Sequence, residues 1–397
     1  MTVNKNKSRG VKMPLKYDRI IHISILSLAL FALLVITSAS MGLTNTTSGL
    51  VTIVVKQVIF TIAGYIMMVF AARIFNFKWL MIMIKPIIFL TLFLLLFTLV
   101  FDPVNGARAW IRIPIGVFDV SIQPSEFAKI SAILVLAAFL GDIKYKKKTP
   151  WEFVKYPILT ILLFFIITSF LQKDFGTAVV MMIISFIVFL LPKHPQLVKY
   201  QRWLFFIIII GIIFVLFLLT PSGQGFIDML PLQEYQKMRI KVSTNPFSQQ
   251  YGEGFQLVNG LVSFASGGLF GVGFGNSIRK YTNFPAANTD YILAIVVEEL
   301  GFLGFMFIFI GYGIIVWRIF KYAFKMKSEK GRMILIGTAM YIFIHFVLNV
   351  GGVTGLIPLT GVPLLIISSG GSSTMACMIA IGISQAVISK FRRGEIE

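Results

Sequence analysis

The chain has 397 residues, 57% of them hydrophobic and only 13% charged, an apolar share well above the roughly half that soluble domains carry. A water-soluble fold could not cover that much apolar surface. The formal net charge of +20 invites a polyanionic partner, and where those charges fall along the chain decides the matter.

Apolar runs able to cross a hydrocarbon core about 30 Å thick as helices recur throughout. The sequence predicts ten spans: Ile20 to Met41, Leu50 to Ala72, Trp79 to Phe101, Glu126 to Gly141, Pro157 to Leu171, Phe175 to Leu191, Trp203 to Thr220, Tyr291 to Trp317, Met333 to Val350 and Val362 to Ser389. The expected class is therefore an all-α, polytopic membrane protein. A basic tail over residues 1–19 precedes a membrane domain over 20–389, a short tail covers 390–397, and both termini are expected in the cytosol. Only Gln172, Lys173 and Asp174 separate the fifth and sixth spans, which predicts a tight hairpin. The eighth and tenth spans are long enough to tilt or break. Two outer connections are long, 102–125 and 221–290. The second carries glycines, aromatics and both signs of charge rather than a linker composition, so it is expected to fold onto the bundle.

With the N-terminus inside, 25 of the 36 Lys and Arg residues lie on the inner side and 8 on the outer, whereas 10 of the 16 acids lie outside. This positive-inside pattern explains the basic charge without a polyanion, so no nucleic-acid partner is expected. The first apolar run follows Lys5, Lys7, Arg9, Lys12, Lys16 and Arg19 but is too long for a signal-peptide core, and is expected to remain as an anchor. One cysteine, Cys377, and three scattered histidines, His22, His194 and His345, give neither an internal disulfide nor a zinc-ligand spacing. The glycines at 267, 268, 271, 273 and 275 match no phosphate-binding fingerprint and read as flexibility or close backbone packing. Ser277-Ile278-Arg279-Lys280 has the S-x-x-K spacing of penicillin-binding enzymes but no K-T-G companion, and reads as chance.

Ionisable residues at span ends are costly and are therefore informative. Glu126 and Lys129 lie three apart on one helix face, where they can pair. Asp174 opens the sixth span, a position that favours a carboxylate. Structural clustering and direct chemistry are both open readings for these three. Arg108, Trp110 and Arg112 precede the fourth span, where guanidinium groups suit lipid phosphates and an indole suits a sugar or the membrane interface. Asp290 stands where the long outer loop re-enters the membrane, a place for a helix cap or for a base whose pKa partial desolvation raises.

These motifs occur in a fixed order: Asn105 to Ile111, Gln123 to Lys129, Asp174-Phe175-Gly176-Thr177, Asn288 to Ile292 with Glu298 to Phe302, and Gly355 to Pro363 with Ser369 to Ser373. Together they resemble the SEDS family of bacterial cell-wall polymerases, which contains FtsW and RodA, over nearly the whole chain. The resemblance implies a ten-helix peptidoglycan glycosyltransferase of the plasma membrane that polymerises lipid II on the outer leaflet with a class B penicillin-binding transpeptidase and other division or elongation proteins. Asp290 matches the family's essential aspartate, while Trp110, Glu126, Lys129, Asp174, Ser369, Ser372 and Ser373 match other sensitive positions. Lys173 stands where the family usually has proline, and Leu365-Ile366-Ile367-Ser368 replaces the commoner P-F-[IL]-S. Residues 349–353 and 361–363 look more like FtsW than RodA, which implies action at the division septum.

In the implied reaction Asp290 is the base, and Arg108, Arg112, Lys129 or a divalent cation such as Mg or Mn neutralises the leaving diphosphate. A lipid flippase and a non-catalytic scaffold for the transpeptidase are the rival readings. No internal repeat or matched pair of broken helices speaks for a transporter.

Overall fold

The computed structural model describes residues 12–397 apart from 45, 105, 116–117, 144–148, 230–233, 250 and 253; Asn105 and the inner lysines at 144, 146, 147 and 148 lie outside the described residues. Seven helices come first: α1 (Arg19–Ser40), α2 (Thr47–Ile74), α3 (Phe77–Phe97), α4 (Pro124–Leu140), α5 (Trp151–Ile166), α6 (Phe175–Phe189) and α7 (Val198–Leu218). Three short ones, α8 (Pro221–Ile227), α9 (Glu234–Thr244) and α10 (Phe255–Gly267), occupy the long outer loop. Then follow α11 (Ile292–Lys325), α12 (Glu329–Val353) and α13 (Gly371–Arg393). Eight of the thirteen are long and apolar enough to cross a membrane, namely α1, α2, α3, α5, α7, α11, α12 and α13. The shorter α6 is apolar too, and α4 carries the Glu126–Lys129 pair. The protein is thus a multi-pass, nearly all-helical membrane protein.

Two local expectations are corrected. The connection before α4 contains an antiparallel hairpin, β1 (Ile111–Ile115) with β2 (Phe118–Ile122), in which Ile111 faces Ile122 and Ile113 faces Val120. Alternating β-branched residues suit such a pair. The last helix begins at Gly371 rather than near Val362, because residues 361–370 form an irregular crossing segment in which Gly361 has φ 69° and Ile366 has φ 68°. Positive φ at a β-branched residue costs about 1–3 kcal/mol and persists only where surroundings enforce it. Here they do: Leu364 N–H donates to Ser368 Oγ at 2.9 Å, and that hydroxyl donates to Thr289 O at 2.8 Å. As the length of the eighth span allows, α11 is broken at Gly301 (φ 66°).

That interruption is built with the glycines of the outer loop. A Cβ at Gly267 would fall 1.9 Å from Val297 O, one at Gly271 2.1 Å from Glu299 O, and one at Gly301 2.4 Å from the Leu269 backbone. Contact this close lets the two segments exchange hydrogen bonds: Val272 and Gly273 N–H donate to Glu298 O and Glu299 O, while Phe302 N–H donates to Gly268 O. Backbone groups freed by the break are satisfied, as a membrane interior demands. The loop therefore lies on the bundle, as its composition predicts.

The interior is formed by α13, α12 and α11, whose spans are 83%, 67% and 61% buried. Small residues let α13 approach α2: a Cβ at Gly382 would meet Met68 O at 2.3 Å, and one at Gly371 the Phe60 ring at 2.6 Å. Close approach of this kind is how helices gain packing energy where lipid removes the hydrophobic drive. The span containing α7, by contrast, is only 6% buried. It leaves an apolar groove of about 270 Å³ lined by residues of α4 to α7, including Leu136, Ile161, Phe189 and Trp203.

Candidate active site

The residues singled out by sequence gather at one end of the bundle. Asp174 caps α6, accepting from Thr177 N–H at 3.1 Å, and its other oxygen accepts from Gln123 Nε2 at 2.7 Å. The turn before it is tight: Gln172 N–H donates to Ile167 O, and Asp174 N–H to Thr168 O. Lys173 lies there at φ 59°, a conformation closed to proline, so this departure from the family pattern has a local geometry of its own. Gln123 N–H in turn donates to Ser372 Oγ at 2.8 Å, which ties the starts of α4 and α13 to Asp174.

The crossing segment brings Asp290 to the same place. Asn349 on α12 donates to Asp290 O at 2.9 Å and to Val362 O at 3.0 Å, stitching the end of the outer loop to the crossing segment. Ser369 N–H donates to Asn288 O at 2.8 Å, and Ser373 Oγ donates to Gly370 O at 3.1 Å. A Cβ at Gly176 would sit 2.3 Å from Thr360 O, so α6 abuts this segment beside Asp174. One position further, a Cβ at Gly361 would lie 3.2 Å from Arg239 Nη1 and 3.8 Å from Asp290 Oδ2. The guanidinium of the outer-loop helix α9 and the carboxylate thus border one point, and Arg239 also donates to Leu359 O at 3.3 Å.

Electrostatics at Asp290 follow from this arrangement. Burial pushes its carboxyl above the usual range, Arg239 pulls it back, and the negative charge of Asp174 adds to the rise. The net direction is upward.

Glu126 and Lys129 form a buried ion pair at 2.8 Å. Lys129 Nζ also meets His345 Nε2 at 2.8 Å, and Tyr341 OH donates to Glu126 at 3.3 Å. An ammonium has no acceptor, so His345 Nε2 accepts and its Nδ1–H donates to Pro363 O at 3.2 Å. The pair thereby props the crossing segment two residues from Gly361. Sequence reasoning missed His345, Asn349 and Arg239. The first two were signalled by polar residues four apart inside an apolar span, and Arg239 by a basic residue in an outer loop.

Arg112 is exposed on the hairpin, Arg108 is exposed just before it, and Trp110 is part-buried. Arg108 N–H donates to Gln172 O at 2.8 Å, which docks the hairpin on the turn that carries Asp174. Among the described residues neither guanidinium bonds to Asp290 or Asp174. Ser277 and Lys280 are buried and engaged: Ser277 Oγ donates to Glu298 at 2.6 Å, and Lys280 pairs with Glu299 at 2.8 Å. They fasten the outer loop to α11.

The carboxylates here do not form a preorganised all-protein cage for a divalent ion. Both oxygens of Asp174 accept from neutral donors, Asp290 shares its surroundings with a guanidinium, and among the described residues no three metal-ligating side chains converge.

A family of cell cycle proteins, FtsW/RodA/SpoVE, matches residues 18–393. The chain belongs to this family. It is 33% identical over 330 residues to the stage V sporulation protein E of Bacillus subtilis, covering 83% of this chain and 84% of that one. With the probable peptidoglycan glycosyltransferase FtsW of the same organism it shares 34% over 307 residues, covering 75% and 72%. Among solved structures it resembles a chain of a peptidoglycan synthase complex that coordinates polymerization and crosslinking, with TM-score 0.69, 23% identity and coverage of 95% and 99%. The Thermus thermophilus rod shape determining protein RodA gives 0.63, 22%, and coverage of 95% and 98%. At these identities the structural likeness establishes the fold.

Proposed function

We propose that the protein is a peptidoglycan glycosyltransferase that polymerises lipid II at the outer leaflet, with Asp290 as its base. The observation that carries this reading is the placement of Asp290, part-buried where the outer loop enters the bundle and flanked by Arg239 and Asp174, in a chain of the FtsW/RodA/SpoVE family. The relatives named FtsW are probable peptidoglycan glycosyltransferases, which supports the activity and the division branch.

In the reaction the 4-hydroxyl of a GlcNAc unit attacks the anomeric carbon of a MurNAc unit linked to a lipid diphosphate. The glycosidic bond forms, the bond to the diphosphate breaks with inversion, and undecaprenyl diphosphate leaves. Asp290 takes the hydroxyl proton. Arg108, exposed beside the turn preceding Asp174, and Arg112, exposed on the hairpin that follows it, are suited to meet the diphosphate bidentately as charge develops on it. Lys129 is already committed to Glu126 and His345, so its role is to support the crossing segment. A class B penicillin-binding transpeptidase is the proposed partner, supported by the likeness to a chain of a synthase complex, and the division septum is the proposed location.

The test uses purified protein, that transpeptidase and labelled lipid II in proteoliposomes. Glycan chains are the expected product. Movement of lipid II between leaflets without chains would make the protein a flippase, and neither outcome would leave a scaffold.

A further inference from the structure

We propose that Arg239 is a positioning residue for Asp290, so that the outer-loop helix α9 supplies part of the site. This rests on the reading of Asp290 as the base. The geometry is specific: Arg239 Nη1 and Asp290 Oδ2 both lie within 4 Å of the point where a side chain at Gly361 would begin. Glycine at 361 has φ 69° and no Cβ, which leaves the space between guanidinium and carboxylate open. The guanidinium is held over this point by its bond to Leu359 O at 3.3 Å. Leu359 and Gly361 belong to the same crossing segment that Asn349 ties to Asp290 O and that His345 braces at Pro363. Bundle elements fix the backbone of Asp290, whereas the cation beside its carboxylate comes on a helix of the loop.

The charged groups facing Asp290 are Arg239 from α9 and Asp174 from the start of α6, and they act in opposite directions. Asp174 and burial favour the protonated acid, which cannot act as a base. Arg239 favours the carboxylate, which can. An opposite charge within about 4–6 Å lowers a carboxyl pKa by about 1–3 units. Loss of the guanidinium therefore raises the pH at which Asp290 becomes competent and leaves its maximal activity at alkaline pH largely intact.

The experiment measures initial rates of lipid II polymerisation across about pH 5 to 9 for wild type, Arg239→Gln and Arg239→Lys, each with its transpeptidase and matched for folded protein. The expected result is that Arg239→Gln moves the acid limb of the profile upward by about one unit or more, which is about a tenfold or greater loss at the acid end, with near recovery at the alkaline end. Arg239→Lys, which keeps the charge, should leave the limb close to that of wild type. Should the glutamine variant misfold, Arg239→Met keeps the aliphatic stem and carries the same test. A loss equal at every pH, or no loss, overturns the proposal. Absence of polymerisation in the wild type would instead overturn the functional reading, so the two failures are distinguishable.

Discussion

At the scale of single residues, the buried Glu126–Lys129 pair shows how support differs from chemistry. Two charges are fully buried and satisfied by each other, by Tyr341 and by His345. Removing one partner of such a pair typically costs about 3–5 kcal/mol, because the other is left as an uncompensated buried charge. Lys129→Met is therefore expected to lower thermal stability in detergent sharply, and Glu126→Gln combined with Lys129→Met to recover part of the loss. A double variant no more stable than either single one would contradict the pairing. Sequence made this pair visible because a three-residue spacing puts both side chains on one helix face. Its other members, Tyr341 and His345, lie 215 and 216 residues from their partners, and no local spacing announces a contact across helices. Arg239 escaped notice for a similar reason, since its meaning depends on where the outer loop folds.

The helices and loops teach a related lesson. The break in α11 and the glycine turn of the outer loop are one construction, in which each segment uses hydrogen bonds that the other leaves open. Gly301→Ala would place a methyl 2.4 Å from the Leu269 backbone, which cannot yield, at a φ of 66°. Overpacking and left-handed strain together are expected to cost about 3 kcal/mol or more. Gly275→Ala, with nothing within 4 Å of its Cβ, should pay only the strain of about 1–2 kcal/mol. Thermal unfolding with limited proteolysis of the loop checks both, and equal effects would refute the close-packing account. The positions of the spans were legible from apolar runs. The hairpin was not, because two five-residue strands within the long 102–125 connection leave a weak pattern, nor was the late start of α13, because the apolar run Val362 to Ile367 reads as helix although its backbone is irregular.

For the whole molecule, charge asymmetry gives a topology that can be checked directly. Tyr251 in the outer loop is 90% exposed, and the Lys327 side chain between α11 and α12 is 79% exposed. In a Cys377→Ala background, Tyr251→Cys is expected to react with an impermeant thiol reagent added outside intact cells, and Lys327→Cys to react only after lysis. Reversed labelling would invert the orientation. The inner end is itself closed by long-range contacts: Asp18, at the start of α1, pairs with Arg318 near the end of α11, and its backbone bonds with Gln385 of α13 at 2.8 and 2.9 Å. These hold together the helix ends opposite to Asp290. The central claim is that Asp290 takes the proton of the attacking hydroxyl, and Asp290→Asn tests it most directly. That change keeps the size and the backbone contacts with Asn349 but removes the base. Glycan-chain formation from lipid II should fall by about 10² to 10⁴ in rate, with thermal stability and transpeptidase binding close to those of wild type. A variant that folds normally and keeps more than about a tenth of wild-type activity would contradict the claim.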